Sequence, residues 1–213
     1  MPATIVQFVP GSESPMPFEP QSTRRPLLLA LGGLAVAGLA ACGERAAPAG
    51  EAAVGGPFRL VNQDGRAVDQ TLLLGKWSVV FFGFTFCPDI CPATLATLGQ
   101  AMGLLGPRAK DVQVVFVSVD PERDTPAQLK TYLSSPAFPR NAVGLTGSPD
   151  QVAAAAKAYK AYYQKSGTGA DYSVDHSAYA YLMNPKGRYD RLLAQNLTPE
   201  EIARQISDAM RRG

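Results

Sequence analysis

Trp77-Ser-Val-Val-Phe-Phe-Gly-Phe-Thr-Phe-Cys-Pro-Asp-Ile-Cys-Pro92 carries both the fold and the chemistry of this 213-residue chain. Its first half, Trp77 to Phe84, is apolar on both faces, as a strand in the middle of a sheet must be. Val112 to Val119 repeats that pattern, and Ala93 to Leu105 between them places apolar residues at helical spacing. Two strands joined by a helix lie parallel. Upstream, Phe58-Arg-Leu-Val61 and Ala67-Val68 flank an Asp64-Gly65 turn and predict an edge hairpin.

Downstream, three helices announce themselves alike. Thr125-Pro-Ala-Gln128, Ser148-Pro-Asp-Gln151 and Thr198-Pro-Glu-Glu201 each place a hydroxyl N-cap, a proline at the first helical position and an acid or amide at the third. They predict helices over 126–134, 149–163 and 199–211, with Ala142 to Thr146 as a strand between the first two. Ser177 to Met183 and Arg188 to Ala194 predict a hairpin around Asn184-Pro-Lys-Gly187. The element order describes an α/β chain with a thioredoxin-like fold: a central mixed β-sheet flanked by helices, with an N-terminal β-hairpin.

Cys87 and Cys91 then fall just after a buried central strand, where open α/β sheets place their sites. Pro92 is tolerated only in a helix's first turn, so Cys91 belongs at the helix N-terminus and Cys87 in the preceding loop. The partial positive charge there favours thiolate and is expected to lower a cysteine pKa. With His176, the single histidine of the chain, the thiols make a sparse set of soft and borderline donors suited to copper above all. The same thiols can close as a disulfide and do redox work, or form an inert bridge, although structural bridges usually join distant segments. His176 is expected in a loop just before a strand. Asp120 and Asp175 are weaker candidates that either line the site or serve only as loop and surface acids. Asp89, between the cysteines, either tunes the thiolate charge or only ends the loop, and is not read as a ligand. Met102, Met183 and Met210 are scattered on core-like patterns and form no methionine copper tail.

The front of the chain reads differently. Arg24-Arg25 precede an apolar run of 15 residues, Leu27 to Ala41, too short for a membrane span of about 20 residues and suited to a signal-peptide core. It ends in Leu39-Ala-Ala-Cys42, which resembles a bacterial lipobox, so Cys42 is the expected lipidation site. The paired arginines fit either a twin-arginine signal or a plain basic n-region, which leaves both export routes open. Residues 1–15 are unlike a signal peptide, and Met16 is the alternative start. The expected domains are therefore a signal peptide over 1–41, a lipid-anchored flexible tether over 42–56 rich in Ala, Gly and Pro, and a folded domain over 57–213. Localisation follows: the extracytoplasmic, periplasmic face of a cell membrane. A net charge of +2, with no basic-aromatic stripe, argues against nucleic acid as a partner.

Phe82-Gly-Phe-Thr-Phe-Cys-Pro-Asp-Ile-Cys-Pro92, Val119-Asp-Pro-Glu-Arg-Asp-Thr-Pro126, Gly144-Leu-Thr-Gly147 and Val174-Asp-His-Ser-Ala-Tyr179 resemble, in order, the signature blocks of the Sco (SenC) family. Members are thioredoxin-like copper-binding proteins concerned with cytochrome c oxidase assembly, and the likeness runs from about residue 57 to the end. It implies that Cys87, Cys91 and His176 bind Cu(I) and Cu(II). It also implies delivery of copper to the dinuclear centre of oxidase subunit II, or reduction of that subunit's cysteines. An upstream copper donor and a thiol reductant are then further partners.

Two rival readings stay open at this level. A thiol-disulfide oxidoreductase or thiol peroxidase on the same fold needs only the dithiol, although its usual motif has two residues between the cysteines and not three. A copper-responsive sensor would use the same site.

Overall fold

The computed structural model describes residues 54–169 and 172–212. The expectations placed on 1–41, Cys42 and the tether up to residue 53 lie outside the described residues. The central strand is β3, Trp77–Gly83, with all seven positions buried, and β4, Val112–Ser118, is buried throughout beside it. They pair in parallel from Trp77↔Val112 to Gly83↔Ser118. β5, Ala142–Thr146, joins in parallel on the far side of β4. The hairpin of β1, Arg59–Asn62, and β2, Ala67–Asp69, closes that edge antiparallel to β5. Gly65, at φ +77°, occupies the left-handed position its turn requires.

The other edge is antiparallel. β8, Ala180–Met183, lies against β3, and β9, Tyr189–Leu193, lies against β8. The seven-stranded order is β2-β1-β5-β4-β3-β8-β9, the central mixed sheet expected. β6, Tyr163–Ser166, and β7, Ser173–His176, form a separate two-stranded ribbon. Helix α1, Ile90–Leu105, packs on α4, Pro199–Arg212, while α2, Pro126–Leu133, covers β5 and α3, Pro149–Tyr159, meets β1.

The proline-led caps form as predicted, with one variation. Ser148 and Gln151 bond reciprocally, as do Thr198 and Glu201. Thr125 accepts from the Gln128 N–H, but the Gln128 amide turns instead toward the Thr85 hydroxyl, 3.4 Å away in the cysteine loop.

The third helix stops at Tyr159, four residues short of the expected end. Lys160 turns left-handed at φ 54°, and the Ala161 N–H closes back on the Ala156 carbonyl, which ends the helix in a Schellman-type cap. The freed residues form β6, whose polar Gln164, Lys165 and Ser166 show no strand pattern. The strand expected from Ser177 starts only at Ala180. His176 is consequently the last residue of β7, paired with Tyr163, and not a loop residue.

Candidate metal centre

Strand, loop and helix deliver two sulfurs to one point. β3 ends at Gly83, the connection holds Cys87, and the first turn of α1 holds Cys91. The Cys91 N–H donates to the Cys87 sulfur at 3.4 Å, so the loop is folded back on the helix start. The ribbon brings the imidazole from the other side: His176 Nε2 lies 3.3 Å from Cys91 Sγ. The three donor atoms fall within 4.8 Å of one another, and both thiols are free.

The three donors differ in exposure. Cys91 is fully buried, whereas Cys87 and His176 are half-buried on a cavity of about 400 Å³ that Phe84, Phe86, Arg123 and Tyr172 help to line. His176 Nδ1–H donates to the Ser177 carbonyl at 3.0 Å, which leaves the Nε2 lone pair facing the sulfur. Phe84 and Phe81 hold the ring edge-on, with centroids at 5.6 and 6.1 Å.

Burial holds the His176 imidazole below its ordinary value. Burial also pushes the Cys91 thiol far up, against the lowering expected from the helix terminus. The sulfur has lost its water, and that loss outweighs a half-charge at the helix end. Metal-free Cys91 therefore keeps its proton, and its S–H faces a neutral imidazole.

Metal–donor bonds of about 2.0–2.3 Å put three donors in a plane about 4 Å apart. The spacing here brackets that figure, so the donor set fits one thiophilic ion. A family model described as SCO1/SenC matches residues 46–211. The chain belongs to the SCO1/SenC family. Protein SenC of Rhodobacter capsulatus is 41% identical over 158 residues, covering 73% of this chain and 70% of that one. The mitochondrial protein SCO1 homolog 1 of Arabidopsis thaliana is 44% identical over 150 residues, covering 70% of this chain but only 44% of its own length. The chain thus spans less than half of that relative. The structure of Bradyrhizobium japonicum ScoI with copper bound superposes with a TM-score of 0.68 at 42% identity, covering 73% of this chain and 99% of that one.

In this SCO1/SenC chain the two weaker candidates part company. Asp175 is exposed on the cavity wall beside His176 and lies outside the donor cluster. Asp120 is 3% exposed and touches no donor; it accepts from Arg123 Nε and from the Tyr172 hydroxyl. Arg123 is stacked 3.7 Å over the Tyr172 ring and 4.8 Å over Phe86, so Asp120 supports the cavity wall through those two residues. Asp89 sits at the N-cap position of α1, and its side chain makes no cap bond.

Sequence reading passed over Asp124, Gly83 and the aromatic cage around His176. Asp124 is fully buried and accepts from the Thr85 N–H at 3.0 Å, the Thr85 hydroxyl at 2.6 Å and the Ser118 hydroxyl at 2.6 Å, which ties the cysteine loop to β4. Gly83 supplies room: a Cβ there would stand 2.6 Å from Cys91 Sγ and 2.8 Å from the Phe116 ring. The visible signal was a lone glycine inside an otherwise bulky strand. Gly83→Ala should destabilise the domain by about 1–3 kcal/mol and weaken copper binding about tenfold by shifting the sulfur. Denaturant unfolding and a competitive copper titration check both, and an unchanged affinity would show that the sulfur has slack.

The lowered His176 pKa also predicts a pH effect on the metal-free domain. Below the ordinary value of 6.5 the unfolded chain takes up a proton that the folded chain refuses. Stability should therefore fall as pH drops below about 6.5, and His176→Gln should remove that part of the slope. The comparison is a pair of denaturation series; carboxylates common to both proteins cancel, and parallel curves would contradict the assignment.

Proposed function

We propose that this chain is a membrane-tethered, extracytoplasmic copper metallochaperone serving assembly of the dinuclear copper centre of cytochrome c oxidase subunit II. It acts by delivering copper, by reducing the subunit's cysteines, or by both. The convergence of Cys87, Cys91 and His176 within 4.8 Å carries the reading. The copper-bound relative supports it, and so do the apolar run and Leu39-Ala-Ala-Cys42 for the tether.

Each residue has a part derived from its surroundings. Copper is the cargo, held as Cu(I) by the soft thiolates and as Cu(II) with the help of imidazole. Cys87, open to the cavity, is the sulfur an incoming donor or acceptor reaches first. Buried Cys91 gives up a proton on loading, so affinity rises with pH. Oxidation of the pair closes the site until a thiol reductant reopens it.

Anaerobic titration of the reduced protein should show one Cu(I) or Cu(II) per chain, with thiolate absorption in the Cu(II) form. Loss of oxidase activity at limiting copper in a strain lacking the gene tests the assembly role; normal activity there would refute it. The two free, adjacent thiols favour a second reading, a thiol-disulfide oxidoreductase with no metal-delivery role. For that protein His176 would be dispensable.

A further inference from the structure

The net charge of +2 hides a strong polarity. β3, β4 and β5 run the same way, so their starts define one pole and their ends, with the cysteines, the other. At the starting pole Lys76 precedes β3, Arg108 and Lys110 precede β4, and Arg140 precedes β5. Lys186 and Arg188 join them, because the β8–β9 turn bridges back to Leu74. All six are exposed, and none makes an ion pair among the described residues. Segments 74–76, 106–111, 136–141 and 184–188 together contain a single carboxylate, Asp111. The mouth of the cysteine–histidine site is mixed instead: Asp89 and Asp175 are exposed around it, Glu122 pairs with Lys165 at 2.7 Å, and Arg123 helps to line the cavity.

The basic pole is also apolar. Lys76, Lys110 and Arg140 rim a depression of about 690 Å³ that Met102, Ala109 and Phe138 help to line. Leu74 and Leu104, 53% and 55% exposed, flank it. The described chain begins on the sheet face that Tyr159 covers, where that ring packs on Phe82. Gly55 N–H donates to the Ala158 carbonyl near the end of α3, and Gly55 lies against Met183, whose strand partner is Ser78 at the start of β3.

We propose that this pole docks on an anionic phospholipid surface. Phosphate groups would meet the six cations, and Leu74 and Leu104 would enter the interfacial layer, the combination that drives interfacial binding. The inference rests on the tether reading above. The stretch from Cys42 to Val54 spans at most about 40 Å, so the folded domain cannot leave the membrane's neighbourhood. Docking would turn the cysteine–histidine mouth outward, about 20 Å further from the lipid by the length of β3.

The test uses the full chain purified from membranes and mixed with vesicles of phosphatidylcholine alone or of phosphatidylcholine with phosphatidylglycerol. Recovery with the vesicles and amide exchange at 74–76 and 104–111 are both read. On the anionic vesicles exchange at those segments should slow about tenfold relative to phosphatidylcholine, and the difference should vanish at high salt. The triple variant Lys76→Glu, Lys110→Glu, Arg140→Glu should lose the slowing and keep its copper stoichiometry. Recovery with both vesicles at equal exchange overturns the docking pole and leaves the tether standing. Recovery with anionic vesicles only supports the pole and overturns the tether, and recovery with neither overturns both.

Discussion

His176→Ala should weaken Cu(II) binding by more than about 100-fold while leaving Cu(I) bound to the dithiolate, and Cys91→Ser should lose both. The split follows from the donors. Cu(I) is satisfied by two soft sulfurs, whereas Cu(II) depends on nitrogen and oxygen donors, and His176 is the one imidazole in the chain. Loss of a residue that merely supports a ligand typically weakens a metal site about 10–100-fold, so loss of a ligand should exceed that range. Cys91 has no substitute, because it is fully buried and a serine hydroxyl is a poor soft-metal ligand. Competitive titration in each oxidation state measures the two affinities. A His176→Ala protein that binds Cu(II) as wild type does would remove the imidazole from the site. The same variant separates the rival class: a dithiol reductase should keep its activity without the histidine.

The cysteine pair was legible in the sequence because its signals are local. Cys87, Cys91 and Pro92 belong to one strand-to-helix connection, and proline restricts where that helix can start. The buried β3 and β4 were equally plain, since a run of seven apolar-compatible residues has few other uses. The ribbon was not legible. Gln164, Lys165 and Ser166 have no alternation to reveal a strand, and the left-handed Lys160 that frees them has no glycine to mark it. His176 was therefore picked out by its uniqueness, while its placement depends on a pairing with Tyr163 that no local pattern announces. The thiol pKa went the other way from the helix argument because burial is a tertiary fact. Asp124 failed to stand out for a related reason: a charged residue in a loop motif reads as solvent-facing until the fold closes over it.

Asp124→Ala should destabilise the domain by about 3 kcal/mol, lowering the melting temperature by roughly 6–12 °C, and weaken copper binding at least about tenfold. The carboxylate accepts three hydrogen bonds in a fully buried position, two of them from Thr85 in the loop that presents Cys87. Alanine leaves the Thr85 N–H without an acceptor, and that donor, unlike a hydroxyl, cannot turn elsewhere. Asn should behave differently. Burial raises the Asp124 pKa, with the Ser118 and Thr85 donors opposing it, so the folded state favours the protonated acid more than the unfolded chain does. The stabilising contribution of that proton is complete below the ordinary value of 3.8 and is lost as pH rises through the raised folded value. Asp124→Asn imitates the neutral acid at every pH and should recover most of what alanine loses. Wild type should accordingly lose stability relative to the Asn variant as pH climbs from about 4 toward neutrality. Denaturant midpoints across that range, with copper affinity read in parallel, separate the outcomes. Equal losses for Ala and Asn would mean that the charge itself, and not the hydrogen-bonded shape, holds the cysteine loop in place.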